Sequence, residues 1–577
     1  MTRARRVKCD EEKPTCLRCA RSGRICEGYP ERAPSNSLVL STQSTPGTGS
    51  SVQTPFSMKI YLTLADGIPQ SEDQNRLAQL GVALLSSDAY VCFGTSGSIF
   101  ERLLPHLNHC IPSVNAAAVV LGSIYQLQAS SDHTAGQDHR GNAFVASQYL
   151  SALRILKNEL QARSFGTVPL VLCCLLLAVA EVLLKQENNA LAHLRGAYQL
   201  LTERRRSHPL AWEPIDEDRT PETPTIPEED NLELLFRGLD IQTAAYAVGF
   251  QPELPSVPVP TVNLNIVNLP NARSYLLHLL HASFTWSSSL CPVRYLPHAV
   301  DAATLVEQGR HISNLSCWLD NFNRSVMPNI PSDRGGGLRS GLVLAHALTL
   351  RSICVACLIW ISALLEPRES FLDSFGPRFE QIIQDAEIVI SQRIHHHNSR
   401  DQHLPLRQGE NTAIFSPGPG ILYPLFLTAR KYRHPLGRRK AISLLRQGGM
   451  EGPWCGPREA VVATRMMQYE EAWPEKPASV PSPLSRTDLV YTELGPYPHN
   501  LHTFSPNAIP ESARVLVSLR TRDIETDQNR IVVSFRRCPN LPDALACLST
   551  RRPPYDKNGT IICEDGHWEV WEEQLDF

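Results

Sequence analysis

Apolar residues recur at helical spacing through most of the chain, and this pattern constrains the fold more than any other feature. One stretch carries Val145, Tyr149, Leu153, Leu156 and Leu160, and a second carries Leu191, Leu194, Ala197 and Leu201. Residues three or four positions apart share one face of an α-helix, so each stretch predicts an amphipathic helix. Similar patterns run through Ala272–Leu290, Gly341–Leu365 and Leu422–Trp473. Together they predict an all-helical region over residues 58–475.

The size of the chain allows these helices to bury a large core. It has 577 residues, of which 42% are hydrophobic, and a length of this kind corresponds to about three or four folding units. Six apolar residues are expected to face a common core: Leu194, Leu201, Leu425, Leu444, Leu445 and Val462. Core packing accounts for them without a ligand.

The C-terminal region has a different pattern. Ala513–Thr521 and Asn529–Arg537 are rich in β-branched residues and partly alternate in polarity, which predicts a small β-hairpin. Residues 476–577 otherwise suggest no role. The fold class predicted for the whole chain is therefore mainly α.

One apolar segment raises the question of a membrane. Val168–Leu184 has 17 residues, but it contains Pro169 and Glu181 and lacks interfacial anchors, so it predicts a buried helix and no transmembrane segment. The N-terminus reads MTRARRVKCDEEKP and lacks the apolar core of a signal peptide. We therefore expect the protein to reside in a reducing compartment, where its thiols do not form disulfides.

Two stretches interrupt the ordered pattern. Residues 30–57 are rich in Ser, Thr, Pro and Gly and predict a flexible linker. Residues 213–230 hold eight acidic residues against Arg219 alone and are punctuated by prolines. They predict a solvated, disordered acidic loop over residues 213–231.

Four cysteines crowd into eighteen residues near the N-terminus, as Cys9-x6-Cys16-x2-Cys19-x6-Cys26. Cysteines two residues apart can hold one tetrahedral metal ion, and basic neighbours favour the thiolate form. A segment of about thirty residues cannot bury a useful core. Metal binding, worth about 10 kcal/mol or more, would have to fold it.

The segment Arg3–Tyr29 resembles the binuclear zinc cluster of fungal transcription factors. In that family, six cysteines hold two zinc ions in the pattern C-x2-C-x6-C, a loop with Lys-Pro, then C-x2-C-x6-C. This chain supplies the second half as Cys16, Cys19 and Cys26, and the loop as Lys13-Pro14. Of the first half it supplies Cys9.

The departure from the family pattern affects both expected zinc sites. Counting back from Cys9 places Thr2 where the second cysteine is expected, and the first would precede Met1. The resemblance implies that each zinc site then lacks ligands, so the occupancy of the two-zinc centre is doubtful. Three explanations remain open: the true start lies upstream, the four thiolates rearrange around one zinc ion, or the module is a relic.

The resemblance also implies how the module would contact DNA. The segment Arg3–Lys8 matches a short helix whose end enters the major groove. Arg5 and Arg6 match the basic pair that reads CGG-like triplets, and a guanidinium fits the O6 and N7 acceptors of guanine. Phosphate contacts are expected from Arg3, Lys8, Lys13 and Arg18. For each of these side chains, a solvated surface charge is the alternative.

A broader resemblance covers the helical region. The stretches NNALAHLRGAYQLL from Asn188 and LFLTARKYRHPLGRRKAISLL from Leu425 are similar to the helical regulatory domain of these fungal factors. This resemblance implies that the helical region contacts co-regulators or the transcriptional machinery. Residues 30–57 contain no heptad pattern for a coiled coil, so monomeric binding and dimerisation through the helical region both stay open.

Other motifs gave no case for an enzyme. The chain contains no Gly-x-Ser-x-Gly elbow, phosphate-binding loop or His-Glu-x-x-His helix. Cys354 and Cys357 are expected to be buried core thiols, and His395–His397 an exposed polar turn. The basic residues Arg430, Lys431, Arg433, Arg438, Arg439 and Lys440 could form a nuclear import signal, but a solvated helix face is favoured.

The sequence thus predicts a nuclear, zinc-dependent transcription regulator of RNA polymerase II genes. Its expected parts are a zinc-cluster module at residues 1–29, a linker at 30–57, a helical regulatory domain at 58–475 and a C-terminal region at 476–577. The alternative is a nuclear interaction or co-regulatory protein that has lost DNA binding.

Overall fold

The structure is a computed structural model of the full chain. It describes residues 71–93, 98–129, 135–162, 166–207, 228–246, 251–256, 266–290, 300–330, 338–401, 415–416, 420–471, 489–492, 495–498, 509–520, 530–548 and 568–577. The chain divides into two units, Met1–Met58 and Lys59–Phe577. All described residues belong to the second.

Helices dominate the described part of the chain, which confirms the predicted fold class. The first seven helices are α1 (Glu72–Phe93), α2 (Leu104–Cys110), α3 (Pro112–Ala129), α4 (Ala135–Ala162), α5 (Thr167–Leu183), α6 (Glu187–Ser207) and α7 (Glu228–Tyr246). The remaining eight are α8 (Leu269–Leu290), α9 (Ala302–Asn321), α10 (Leu338–Ala363), α11 (Gly376–Asp401), α12 (Leu422–Lys431), α13 (Pro435–Gln447), α14 (Gly456–Glu471) and α15 (Leu541–Leu548).

Three small sheets accompany the described helices. The first joins β1 (Phe415–Ser416), β2 (Met450–Glu451) and β3 (Trp454–Cys455), and the second pairs β4 (Leu489–Thr492) with β5 (Gly495–Pro498). The third contains β6 (Val515–Arg520), β7 (Arg530–Arg537) and β8 (Glu569–Asp576), in that order. It contains the predicted hairpin and adds a third strand.

Charged pairs fix the register of this C-terminal sheet. β6 and β8 both run antiparallel to β7, with Val517 opposite Phe535 and Phe535 opposite Trp571. At the two ends of the β7–β8 pair, Arg530 faces Asp576 and Arg537 faces Glu569 in ion pairs. Directly opposed unlike charges stabilise one register over its neighbours.

The helices bury more than one hydrophobic core. One cluster is built from α1–α7, with residues such as Leu121 and Leu176 fully buried, and another from α10–α14 and the C-terminal sheet. All six predicted core residues are buried. The expectation of a common core was wrong, because Leu194 and Leu201 lie in the first cluster and the other four in the second.

The two most apolar helices are core helices. The apolar face of α5 is buried almost throughout, as predicted, and Glu181 within it accepts a hydrogen bond from Tyr149, whose hydroxyl also lies 2.8 Å from His193 Nε2. A polar partner therefore explains the one carboxylate in this helix. The window Ser340–Ala363 is long and apolar enough to cross a membrane, but 83% of it is buried inside the protein.

The acidic loop ends earlier than predicted. Helix α7 begins at Glu228, so residues 228–231 are helical. Acidic residues in a first helical turn are stabilised by the helix dipole, which explains why this part of the acidic run joins the helix. The rest of the predicted loop, up to residue 227, lies outside the described residues, as does the predicted linker at 30–57.

Helices α1 and α3 approach each other so closely that glycine is required at the contact. A Cβ atom built on Gly122 would lie 1.9 Å from the carbonyl oxygen of Leu77, and one on Gly81 would lie 2.4 Å from that of Ala118. Both obstacles are backbone atoms, which cannot turn aside as a side chain can.

We expect Gly122→Ala to destabilise the fold by about 1–3 kcal/mol or more, because the helices must separate to admit the methyl group. Gly309→Ala in α9 is the matched control, since a Cβ there meets nothing within 4 Å. It should leave stability unchanged or raise it by about 1 kcal/mol, from the higher helix propensity of alanine. Urea unfolding followed by circular dichroism measures both; equal effects of the two changes would contradict the close contact.

Candidate functional site

The ten residues predicted to bind zinc or DNA all lie between Arg3 and Cys26, outside the described residues. The zinc ligands are Cys9, Cys16, Cys19 and Cys26, and the DNA contacts are Arg3, Arg5, Arg6, Lys8, Lys13 and Arg18. Their roles stay predictions. Among the residues that the structure does describe, no group of three or more His, Cys, Asp or Glu side chains could hold a metal ion.

The second basic cluster, at residues 430–440, is described in full and is not the solvated helix face that we predicted. It spans the end of α12, the short connection and the start of α13. Arg433 and Arg438 are completely buried, and Lys431 and Arg439 are nearly so. Lys440 is the exposed member, 2.6 Å from Glu387. Arg430 is half-buried, with its guanidinium 5.0 Å from the ring centre of Phe426.

Glu470 at the end of α14 is the acceptor at the centre of this cluster. Its Oε1 accepts from Arg433 Nη2 at 3.0 Å, and its Oε2 lies 2.7 Å from Arg438 Nη2. Burial alone would raise the pKa of Glu470, but the two guanidinium groups outweigh it and hold the pKa below its ordinary value of 4.5. The carboxylate therefore stays ionised inside the protein.

Glu369 supplies the second carboxylate of the cluster. Its Oε2 lies 2.6 Å from Lys431 Nζ and 3.3 Å from Arg433 Nη2. Burial lowers the pKa of Arg433, but Glu470 and Glu369 more than compensate, so its pKa is raised. Arg438 also donates to the end of α12, from Nε to the carbonyl oxygen of Ala429 at 2.9 Å and from Nη2 to that of Arg430 at 3.2 Å. Cations at a helix C-terminus satisfy carbonyl groups that have no partner within the helix.

The same network attaches the C-terminal sheet to the helices. The backbone N–H of Val515, at the start of β6, donates to Glu470 Oε1 at 2.9 Å. Glu511 accepts from the backbone N–H groups of Glu369 and Ser370 at 2.6 and 2.8 Å. Arg514 in turn pairs with Asp373 through both terminal nitrogens. Residues 509–515 are thus held against the helical region by polar contacts that are buried or partly buried.

These contacts correct both interpretations of the basic cluster. A nuclear import signal needs cations that an acidic receptor can reach, and a solvated helix face needs the same exposure. Here the carboxylates of Glu369, Glu470 and Glu471 neutralise the cations within the fold. The cluster stabilises tertiary structure.

The other motifs singled out in the sequence also have structural roles. Cys354 and Cys357 are fully buried in α10, as predicted, and burial raises the pKa of each thiol. The prediction for His395–His397 was wrong: these residues continue α11, which ends at Asp401, and His396 is buried. The helix has enough apolar positions, such as Val389 and Ile390, to extend through a polar run.

Comparison with known proteins identifies the N-terminal segment. Residues 3–36 match the family described as the fungal Zn(2)-Cys(6) binuclear cluster domain. This segment belongs to that family. The transcriptional regulatory protein moc3 of Schizosaccharomyces pombe is 61% identical over 31 residues, which are 5% of this chain and 6% of that protein.

A second relative matches a longer stretch. The aspercryptin biosynthesis cluster-specific transcription regulator atnN of Emericella nidulans is 27% identical over 219 residues, 35% of this chain and 34% of that protein. The chain thus matches about a third or less of the length of these curated relatives. No solved structure gives a significant match.

The binuclear cluster family binds two zinc ions through six cysteines, and residues 3–36 of this chain contain four. Four thiolates are enough for one tetrahedral zinc site. Two tetrahedral zinc sites that are built from six cysteines share two of the thiolates. The four cysteines of residues 3–36 are two fewer than this family set.

We expect Glu470→Gln to destabilise the fold by about 3–5 kcal/mol, because it leaves Arg438 buried without its carboxylate partner and leaves Arg433 with Glu369 alone. Glu387→Gln, which removes the exposed partner of Lys440, should cost less than about 1 kcal/mol. Urea unfolding measures both.

The pH dependence provides a check on the same assignment. The pKa of Glu470 is lower in the folded protein than in the unfolded chain. Its ionised carboxylate therefore adds its full share to the free energy of unfolding above the unfolded pKa, and this share is lost as the pH falls through the folded pKa. The stability difference between wild type and Glu470→Gln should therefore shrink below pH about 4.5. A difference that stays constant down to pH 3 would show that the ionised carboxylate is not the stabilising species.

Proposed function

We propose that this protein is a zinc-dependent, sequence-specific DNA-binding transcription regulator of RNA polymerase II genes. The observation that carries the proposal is the match of residues 3–36 to the fungal binuclear cluster family, with 61% identity to a transcriptional regulatory protein over 31 residues. The basic balance of residues 1–29, eight Lys or Arg against four Asp or Glu, supports a polyanionic partner.

Within the proposed module, two kinds of contact have different consequences. Arg5 and Arg6 read guanine edges of CGG-like triplets, where a guanidinium fork matches two acceptors. Arg3, Lys8, Lys13 and Arg18 neutralise phosphates, which gives affinity and salt dependence without sequence choice. Cys9, Cys16, Cys19 and Cys26 hold zinc and so fold the segment that presents these side chains.

The rest of the chain is proposed to regulate this module. Residues 30–57 act as a linker, and the helical region at 58–475 is the regulatory domain, with the remaining residues to 577 as a C-terminal region. The relative from Emericella nidulans, named as a transcription regulator, supports this assignment beyond the zinc segment because its match covers 219 residues. Such a regulator acts in the nucleus, and co-regulators or a second copy of the chain are partners for the helical surface.

One observation favours a second candidate function. With four of the six family cysteines in residues 3–36, the DNA-reading helix lacks the second fixed metal that orients it. The alternative is a nuclear interaction or co-regulatory protein that retains the helical domain without reading DNA.

Zinc content and DNA binding together separate the two functions. The chain with the printed sequence should hold fewer than two zinc ions by elemental analysis, because two sites need six thiolates. A restored variant carries Thr2→Cys and an N-terminal extension with a second cysteine three positions earlier. It should hold two zinc ions and bind duplexes that contain CGG.

Substitutions in the restored variant then test the assigned roles by fluorescence anisotropy. Arg5→Ala or Arg6→Ala should cost about 1–3 kcal/mol and relax discrimination at the guanines. Lys13→Ala should weaken binding to all duplexes alike and lower the salt dependence. Equal binding to scrambled and CGG duplexes, unchanged by Arg5→Ala, would refute DNA reading and favour the co-regulatory protein.

A further inference from the structure

The last turn of α6 has a pattern that neither the zinc module nor the packed core explains. The helix ends at Ser207, and its last turn carries three consecutive arginines, Arg204, Arg205 and Arg206. The sequence therefore reads Arg-Arg-Arg-Ser, with Pro209 two positions after the serine. The spacing Arg-x-x-Ser/Thr-x-Pro occurs once in the chain. A hydroxyl in a fixed pattern of charge is what protein kinases select in their substrates.

The positions of the arginines match one class of kinase. Basophilic kinases select serines with arginines three and two positions earlier, because carboxylates beside their active site pair with these guanidinium groups. Arg204 and Arg205 hold these two positions relative to Ser207. The turn therefore carries the charges that such a kinase reads.

A second serine follows a basic run but differs in its setting. Ser443 comes shortly after the cations of residues 438–440. In the fold, Arg438 and Arg439 are buried in ion pairs with Glu470 and Glu471. A kinase cannot pair with cations that the core already neutralises, so this second run is a natural control for the first.

The last turn of α6 lies at the surface and can open without disturbing the core. Leu201 is buried, but none of residues 202–206 is buried. Arg206 is exposed, and Arg204 and Arg205 are half-buried. A kinase holds the residues around its target serine in an extended conformation, so the turn must open to be modified. Segments with few buried contacts open locally at the least cost in free energy.

An ion pair ties this turn to α7. Arg205 Nη1 lies 3.0 Å from Glu233 Oε1, and both side chains are partly exposed. Glu233 has a second partner, the buried Arg237, at 2.9 Å. Arg237 also donates to the carbonyl oxygen of Pro255 at 3.1 Å. Releasing Arg205 therefore leaves neither Glu233 nor Arg237 without a partner, and a partly exposed ion pair contributes little to stability.

A phosphate on Ser207 would favour the open form of the turn. It adds a charge of about −2 at the C-terminal end of α6, where the helix dipole already presents negative charge. Glu203, four residues earlier, lies on the same helical face and has the same sign. Arg204 can pair with the phosphate whether the turn is helical or open. Phosphorylation thus converts the end of a helix into an accessible phosphopeptide.

We propose that Ser207 is a phosphorylation site of a basophilic protein kinase and that the phosphoserine then binds a partner of the 14-3-3 class. In the kinase step, the Ser207 Oγ forms a bond to the γ-phosphorus of ATP, the bond from that phosphorus to the β–γ bridging oxygen breaks, and ADP leaves. The hydroxyl proton passes to the catalytic aspartate of the kinase. Both steps concern the helical region and do not depend on the proposed reading of DNA.

The class of partner follows from the residues on both sides of Ser207. Proteins of the 14-3-3 class bind a phosphoserine through a cluster of arginines, in charge-assisted hydrogen bonds that are stronger than neutral ones. They accept an arginine three positions before the phosphoserine and a proline two positions after it. Arg204 and Pro209 supply these residues, Pro209 by sequence alone since α6 ends at Ser207.

Treatment of the full chain with ATP and the catalytic subunit of cAMP-dependent protein kinase, a basophilic enzyme, tests the first step. We expect peptide mass spectrometry to place phosphate on Ser207. Ser207→Ala should abolish this modification, and Arg204→Ala should slow it at least about tenfold, because one charged contact with the kinase is lost. Ser443→Ala is the matched control and should leave the modification of Ser207 unchanged. Equal melting temperatures confirm that the variants are folded.

Calorimetry with a purified 14-3-3 protein tests the second step. The phosphorylated chain should bind at least about tenfold more tightly than the unphosphorylated chain, because the phosphate adds charge-assisted contacts. Phosphatase treatment should reverse the gain. Pro209→Ala should weaken binding while Ser207 is still phosphorylated, which separates recognition by the partner from recognition by the kinase.

Three results would overturn the proposal. One is a chain in which the kinase leaves Ser207 unmodified. Another is a rate of modification that Arg204→Ala does not change, which would mean that the arginine is not read. The last is equal binding of the phosphorylated and unphosphorylated chains to the partner. Because no DNA is present, each of these outcomes is distinct from a failure of the proposed DNA binding.

Discussion

The buried carboxylate of Glu470 is the contact on which the second half of the structure depends. It meets Arg433 and Arg438, at 3.0 and 2.7 Å, together with the backbone N–H of Val515 at 2.9 Å. These partners belong to the α12–α13 connection, to α13 and to β6. Removing ions from water is costly, and the cost is recovered only when every partner is in place. The network therefore favours one relative arrangement of the helices and the C-terminal sheet.

This constraint changes the meaning of the basic cluster at residues 430–440. A run of six cations within eleven residues is typical of an exposed surface that binds anions. In the fold, its neutralising carboxylates come from Glu369, Glu470 and Glu471, more than thirty residues away in the chain. The charges serve internal packing, and the positive side chains proposed to contact DNA are those of residues 3–18.

The proposed activities depend on different physics in different parts of the protein. The N-terminal segment has too few apolar residues for a core, so zinc ligation must supply its folding free energy. The helical region folds on large apolar clusters of its own. The helical region therefore has a core that does not need zinc, whereas the N-terminal segment is expected to fold on the metal.

The sequence by itself determined the helical class, the approximate helix positions, the C-terminal hairpin and the family of residues 3–36. These features rest on periodicity and spacing, which are local: Val145 and Tyr149 lie on one helical face wherever the helix packs. Only the tertiary structure decided that Arg433 and Arg438 are buried and that the apolar residues divide into separate clusters. Each of these depends on partners distant in the chain, and a single sequence does not encode in its spacing which carboxylate will meet which cation. The run His395–His397 shows the same limit, because tertiary burial of Val389 and Ile390 extended a helix through residues whose local composition favours a turn.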